Sequence, residues 1–406
     1  MFITDIDLIN FRNYGRLNLE VGPSVNVICG KNAQGKTNII ESVNFCSCLT
    51  SHRTHKEREL VKFNENEFCI KLNLCDEIDN YKTDLCVKYD LNTQKRKLFQ
   101  DNSEIRKISS YLGICNTVMF VPEDLNIVKG APGNRRKFLN VLISKISPVY
   151  FDLINAYVRI LNQKNVYLKK YYGNIDENIL EYYDLSLADL SAKIVFYRLR
   201  FVMILSDYAC VHHSRISNNS EKIELTYNSI PGLIELLTQE LINELGENYK
   251  YNLINDNIES VKRDKIQAVL SDYILNKIKA SRSNDIERRV VSVALNKDDI
   301  DIKLNDLSMR SYSSQGQQRS AALSLKLAEL DCIRTYTSTS PILLLDDVFS
   351  ELDKERRSSL ITNIKNTQIF ITCTDKEFIL NEIIDIDSFD SLRFYNVDNG
   401  VISADN

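Results

Sequence analysis

The 406-residue chain is 26% charged and 44% hydrophobic, an average globular balance that excludes wholesale disorder and leaves room for two or three lobes with sizeable cores. Its formal charge of −4 excludes reading the whole chain as a polyphosphate binder, so any contact with a polyanion would rest on local basic patches. No apolar run approaches the roughly 20 residues of a spanning helix, and MFITDIDLINF carries acids where a secretory signal would carry bases, so neither a membrane partner nor export is expected.

In chain order, Phe2 to Phe11 alternates apolar and polar side chains and predicts an edge strand. The short apolar run Val25-Asn26-Val27-Ile28-Cys29 predicts a buried strand. It delivers Gly30-Lys31-Asn32-Ala33-Gln34-Gly35-Lys36-Thr37, a match to G-x-x-x-x-G-K-[ST]. Gly30 and Gly35 let the backbone turn successive N–H groups toward an anion. Lys36 is placed to reach outer phosphates, and the Thr37 hydroxyl to ligate Mg²⁺. From Thr37 and Asn38 to Val43 a helix is predicted, whose N-terminal dipole favours phosphate. Strand, loop and helix in this order make a nucleotide-binding loop.

Between about 66 and 100, runs such as Phe68-Cys69-Ile70-Lys71-Leu72 and Leu85-Cys86-Val87-Lys88-Tyr89 predict an antiparallel sheet. Asn116 to Val121 is another apolar strand and leads into Pro122-Glu123-Asp124. From about 134 to 278 the spacing turns helical, as in FLNVLISKI and YFDLINAYVRILNQKNVYLKK, which predicts an inserted lobe of packed helices. Strands return near Val290 to Leu295 and Ile300 to Leu304.

Ser313-Ser314-Gln315-Gly316-Gln317-Gln318-Arg319 then precedes the helical pattern SAALSLKLAEL. A Ser hydroxyl and a Gly N–H at a helix start make a second anion-binding terminus. Pro341 to Asp347 reads as a buried strand ending in two carboxylates, where ligands of open α/β sheets collect. Asp346 is assigned to Mg²⁺ through water, and Asp347 to polarising the attacking water. Ser350-Glu351-Leu352-Asp353 and an apolar strand from Gln368 to Cys373 follow. The predicted division is 1–133 and 281–406 for the two parts of the ATPase domain, with the helical lobe at 134–280. The nucleotide site therefore closes only when the two ends of the chain meet. Ten scattered cysteines without a C-x-x-C pattern predict reduced thiols in a cytoplasmic protein, with no zinc site or disulfide framework.

Taken together, LINFRNY, GKNAQGKTNIIES, SHRTHKERELV, FVPEDLNIVKGAPGNRRKFLN, SSQGQQRSAALSLKLAEL and PILLLDDVFSELDKERR closely resemble the RecF family of bacterial recombination-mediator ATPases, relatives of the SMC proteins. The matches run from the first dozen residues to about residue 373. The resemblance implies an α/β fold: a P-loop ABC-type ATPase domain with a flanking antiparallel β-sheet and an inserted α-helical lobe. It adds Arg12 and Asn38 to the ATP contacts and puts Glu123, by analogy with the Q-loop, toward metal and water. Ser314, Gly316 and Gln317 match fixed positions of the LSGGQ signature, with Gln315 replacing its first glycine. In that family geometry the γ-phosphate is sandwiched between the P-loop of one protomer and the signature of another. The implied function is an ATP-dependent homodimer that closes over duplex DNA and loads recombinase at single-strand/double-strand junctions. Its implied partners are RecO- and RecR-like proteins, and slow ATP turnover acts as a switch. Of the basic patches, His52 to Arg58 and Arg135-Arg136-Lys137 rank above Lys95-Arg96-Lys97 and Lys277 to Arg289 as DNA contacts.

Two stretches depart from the family pattern. Ala294-Leu295-Asn296-Lys297-Asp298-Asp299 stands where a GPHRDD-like segment is usual, and His212-His213-Ser214 belongs to a worn version of another family stretch. An ABC subunit coupled to a membrane transporter would carry a much shorter helical insertion. A structural SMC-like protein would carry sustained heptads or a zinc hook.

Overall fold

A computed structural model describes residues 1–76, 81–337, 339–349, 352–353, 356–357, 360, 367–374, 376–377, 379 and 391–405. The chain forms two compact units. The first comprises Met1–Leu125, Arg215–Asn219 and Ala322–Asn406, and the second Asn126–Ser214 and Ser220–Ala321. These bounds place residues 281–321, signature included, in the second unit, apart from the C-terminal part of the ATPase domain to which the sequence division assigned them.

The strands in chain order are β1 (Phe2–Phe11), β2 (Tyr14–Glu20), β3 (Val25–Cys29), β4 (Glu67–Cys75), β5 (Lys82–Asp90), β6 (Lys95–Gln100), β7 (Ser103–Ile105) and β8 (Thr117–Phe120). They continue as β9 (Ile223–Asn228), β10 (Asp299–Leu304), β11 (Leu307–Ser308), β12 (Ile342–Asp346), β13 (Ile369–Cys373), β14 (Leu392–Asp398) and β15 (Val401–Asp405). The first unit holds two sheets. One, ordered β15-β14-β3-β13-β12-β8, is parallel except for the edge strand β15. Its central strands β3, β13 and β12 are buried along almost their whole length and, apart from Asn26, Thr372 and Asp346, apolar, as a sheet covered on both faces requires.

The other sheet, β2-β1-β4-β5-β6-β7, is antiparallel throughout. Along β4, Phe68, Ile70, Leu72 and Leu74 are buried and alternate with more exposed residues. Helix α1 (Lys36–Cys48) packs against both sheets, and Ile39, Ile40, Val43, Phe45 and Cys46 on it are at most 1% exposed. Phe68 meets Phe11 and Phe45 edge-on, at 5.5 and 5.8 Å, and stacks on Tyr89. That cluster locks α1 to the antiparallel sheet.

The second unit contains the long helices α2 (Pro132–Ile146), α3 (Pro148–Lys170), α4 (Glu177–Ile216, ending in the first unit), α5 (Leu233–Leu245) and α6 (Ser260–Arg288) with the small sheet β11-β10-β9. Inside it, Lys164 of α3 donates to Asp184 of α4 at 2.5 Å, both buried. Arg282 of α6 adds two bonds to the same carboxylate. This fully partnered charge cluster fixes the register of three helices. Helix α7 (Gln315–Thr337) begins in this unit and ends in the first. Among the described residues no helix is long and apolar enough to cross a membrane.

Three expectations are corrected. Strand β1 is not an edge: Arg12-Asn13 turns the chain back so that β2 takes the edge, and β4 pairs along the other side. The stretch from about 134 to 278 is not wholly helical, because β9 interrupts it to pair with β10. Val290 to Leu295 forms no strand. Its backbone donors go instead to helix groups: Val291 N–H to Asn165 Oδ1, Ser292 N–H to Asp285 Oδ1 and Leu295 N–H to the Tyr157 hydroxyl.

Candidate nucleotide site

Strand β3 carries the chain up to the phosphate loop, and α1 carries it away. Gly30 has φ +149°, and a Cβ there would stand 2.4 Å from the Val397 carbonyl oxygen. Gly35, at φ +116°, is the N-cap of α1, and a Cβ would meet Asn13 Nδ2 at 2.5 Å. Both positions therefore need glycine for close approach as well as for the turn. Lys31, Asn32 and Ala33 are exposed along the loop. Lys36 Nζ donates to the carbonyls of Gly30 and Lys31, at 2.5 and 2.9 Å, which holds the ammonium within the loop.

The loop is braced from outside. Asn13 Nδ2 donates to the Gln34 carbonyl, the Tyr14 hydroxyl donates to the Gly35 carbonyl, and Gln34 Oε1 accepts from Asn399 N–H. Asn38 is spent on the same frame. Its Nδ2 donates to Asn13 Oδ1 at 2.8 Å, and its Oδ1 accepts from Arg53 at 2.9 Å.

The far end of the chain meets this loop. Thr37 Oγ1 donates to Asp346 Oδ1 at 3.0 Å, and Thr372 Oγ1 from the neighbouring strand donates to the same oxygen at 2.7 Å. Asp346 closes β12 and is buried. Asp347 next to it is exposed, with φ +53°, and its N–H donates to Thr372 Oγ1 at 2.9 Å. That left-handed backbone, tolerated by Asp, turns the second carboxylate away from the strand. A hydroxyl and a carboxylate 3.0 Å apart beside a phosphate cradle form an oxygen donor set that fits Mg²⁺. Glu123 is exposed on a single 3₁₀ turn, Pro122–Asp124, whose geometry is fixed by Asp124 accepting from Val121 N–H at 2.9 Å. Of the tetrad Ser350 to Asp353, Ser350 and Glu351 lie outside the described residues.

Arg12 lies behind the loop. Its Nε and Nη2 grip both oxygens of Glu41, at 2.9 and 2.7 Å, and its Nη1 donates to the Glu59 carbonyl. Glu41, on α1, is fully buried and also accepts from Ser51 Oγ at 2.5 Å. Two guanidinium N–H groups of Arg12 are not engaged in these bonds.

The signature residues belong to the second unit. Ser314 Oγ accepts from Gln317 N–H at 3.2 Å, and Gln317 Oε1 accepts from Ser314 N–H at 2.8 Å. This is a reciprocal capping box at the start of α7. Gly316 lies in the first turn and Ser314 is exposed. The other arm of the Gln317 amide donates to Glu221 Oε1 at 2.8 Å.

Two side chains are placed differently from what the sequence suggested. Arg135 is buried and grips Asp299 with two bonds, at 2.6 and 2.8 Å, so of Arg135-Arg136-Lys137 only Lys137 is exposed as a DNA contact would require. His52, read as part of a basic patch, has a buried Nδ1 with no hydrogen-bond partner. Burial holds its pKa below the ordinary value even though Glu41, Asp346 and Glu123 all pull it upward. It therefore lies within reach of the carboxylate cluster. No spacing rule flags it; the signal was its position next to Ser51, which anchors the loop to Glu41.

Residues 5–387 match a family model described as an AAA domain. The DNA replication and repair protein RecF of Clostridium tetani is 38% identical over 380 residues, covering 93% of this chain and 94% of that protein. RecF of Streptococcus agalactiae serotype Ia is 36% identical over 404 residues, covering 99% and 98%. Among solved structures, one titled the recombination mediator protein RecF-ATPrS in the RecFOR pathway superposes with a TM-score of 0.83 at 30% identity, covering 99% of this chain and 98% of that one. A second, titled RecF-ATP in the same pathway, gives 0.80 at 30% identity over 99% of each chain.

Proposed function

The chain belongs to the RecF family of DNA replication and repair proteins, and from that premise we propose that it is a cytoplasmic ATP-dependent clamp on DNA. The observation that carries this reading is the bond between Thr37 and Asp346, which joins the two ends of the chain at the mouth of a phosphate cradle. Gly30 to Thr37 cradle the phosphates of ATP with backbone N–H groups, and Lys36 turns from the loop carbonyls to the outer phosphate oxygens. Thr37 and Asp346 would hold Mg²⁺, which would neutralise charge on the phosphates. Asp347 and Glu123 orient water for slow hydrolysis. Ser314 and Gly316 at the start of α7 receive the γ-phosphate bound by a second protomer, so two copies close only with nucleotide between them.

The γ-phosphate supplies the bridge between the protomers, and its loss reopens them, which makes hydrolysis a release switch. Duplex DNA and single-strand/double-strand junctions are the partners. RecO- and RecR-like proteins cooperate with the dimer to load recombinase at gaps in recombinational repair and the SOS response. Light scattering with Mg²⁺ and ATP, with and without a short gapped duplex, tests this. The expected result is a nucleotide-dependent dimer that DNA stabilises. A monomer under every condition refutes the clamp.

A further inference from the structure

His213 and Glu221 have no part in the nucleotide chemistry described above. Between them they connect the end of α4, the start of the β9 segment and the signature. His213 is fully buried, and its Nε2 lies 3.0 Å from Glu221 Oε2. A carboxylate can only accept, so that ring nitrogen carries the proton. The other oxygen of Glu221 accepts from Gln317 Nε2 at 2.8 Å, while Gln317 Oε1 accepts the N–H of Ser314. One unbroken chain of hydrogen bonds therefore runs from a buried imidazole, through a carboxylate and an amide, to the signature serine. The lysine that follows Glu221 is tied down independently, its N–H donating to Asn305 Oδ1 at 2.8 Å. The backbone bearing Glu221 is thus fixed from the sheet side.

We propose that Glu221, oriented by His213, is a positioning residue that fixes the Gln317 amide and so aims the N-terminus of α7 at the phosphate of the opposing protomer. A terminal amide can rotate by half a turn about its last torsion, and its two ends are nearly isosteric. The Ser314 N–H selects Oε1 at one end of the amide, and Glu221, an acceptor on the Nε2 side, locks the same orientation from the other. Without Glu221 the amide is held at one end only, and in every rotated state that no longer points Oε1 at Ser314 N–H the capping box breaks. The helix start then loses the geometry that leaves the hydroxyl and amide donors of the first turn convergent. Gln317 thus acts from behind the serine, within its own chain, and Glu221 sets its orientation.

This rests on the reading of Ser314 and Gly316 as the trans phosphate site, so Ser314→Arg serves as the reference variant. The experiment is a double-mutant cycle on ATP-dependent dimerisation of the full chain, measured by light scattering at several protein concentrations. Glu221→Ala and Gln317→Ala are each expected to weaken dimerisation about tenfold, the weight of one hydrogen bond to a charged group. The double variant should be no weaker than the worse single one, because both remove the same arrangement. Glu221→Gln should dimerise within about twofold of the parent. It keeps the acceptor for Gln317 and offers an NH₂ group to an imidazole that can change tautomer. If Glu221→Ala melts below the assay temperature, Glu221→Asp, one methylene shorter, carries the same cycle. Effects that multiply in the double variant would make Glu221 an independent packing residue and overturn the proposal. Parental dimerisation by Glu221→Ala while Ser314→Arg fails would overturn it too and leave the sandwich standing. Dimerisation by Ser314→Arg itself would remove the sandwich, and the inference with it.

Discussion

Arg12→Ala separates two roles that the sequence cannot tell apart, a nucleotide ligand and a brace for α1. The Glu41 carboxylate is fully buried and takes two guanidinium bonds, at 2.9 and 2.7 Å. Removing one partner of a buried pair costs about 3–5 kcal/mol, because the remaining charge is stranded. Here the Arg12 side chain is 17% exposed, Ser51 Oγ still donates at 2.5 Å, and Arg53 stands 3.8 Å away. We therefore expect the low end, about 3 kcal/mol. Urea unfolding followed by circular dichroism should show a lower midpoint with little change in slope. Arg12→Met combined with Glu41→Gln should recover at least half of the loss, since no charge is left buried. Nucleotide affinity should fall in step with stability, because Glu41 lies one turn beyond Thr37 on the helix that forms the phosphate cradle. Stability within about 0.5 kcal/mol of the parent, with nucleotide binding abolished, would refute the brace and make Arg12 a direct ligand.

Further outcomes follow from the site. Asp346→Asn should weaken Mg²⁺-dependent nucleotide binding, whereas Asp347→Asn should keep binding, slow hydrolysis at least about a hundredfold and accumulate closed dimer. Parental turnover by Asp347→Asn would mean the roles are misassigned. Gly30→Ala pushes a methyl group to 2.4 Å from the Val397 carbonyl and should lower both the melting temperature and nucleotide affinity in isothermal titration. Burial raises the Asp124 pKa from 3.8 to about 6. The unfolded chain therefore ionises first as pH rises, and stability present below pH 4 is lost progressively up to about pH 6. A rise of that size corresponds to about 3 kcal/mol, reduced toward about 2 by the partial exposure of the group. Asp124→Asn keeps the bond to Val121 N–H and should raise the melting temperature at pH 8 but not at pH 4. A variant equally or less stable than the parent at pH 8 contradicts the assignment.

The strand, glycine turn and helix around Gly30 to Thr37 were legible because their physics is local. A five-residue apolar strand, two glycines at fixed spacing and a helix start leave few alternatives. Asp346 was legible for a related reason, as a carboxylate ending an apolar run. Contacts that depend on residues distant in sequence were not legible. Nothing in Val290 to Leu295 shows that its backbone donors will be taken by Asn165, Asp285 and Tyr157, so an apolar run read as a strand. Arg135 looked like one of three surface bases until Asp299 closed on it across the second unit. His52 and Glu221 carry no spacing signal, because the groups that act on them, the carboxylates around His52 and the Gln317 amide beside Glu221, lie in other elements. The alternation of Phe2 to Phe11 correctly gave a strand, but edge or interior position is decided by the pairing partners, which alternation does not encode.

The central claim is that each nucleotide is held by the P-loop of one protomer and the signature of its partner. Mixing Lys36→Ala with Ser314→Arg tests it most directly. Lys36→Ala loses the loop cation and should neither bind ATP nor dimerise. Ser314→Arg should bind ATP as a monomer through its own intact loop, yet fail to dimerise because the new side chain fills the gap meant for the partner's phosphate. In the mixture each heterodimer keeps one composite site, an intact loop facing an intact signature, and ATP-dependent association should partly return in sedimentation velocity. Dimerisation by Ser314→Arg alone, or a mixture as inert as its components, would contradict the sandwich and leave Gln315-Gly316 as the first turn of a capped helix.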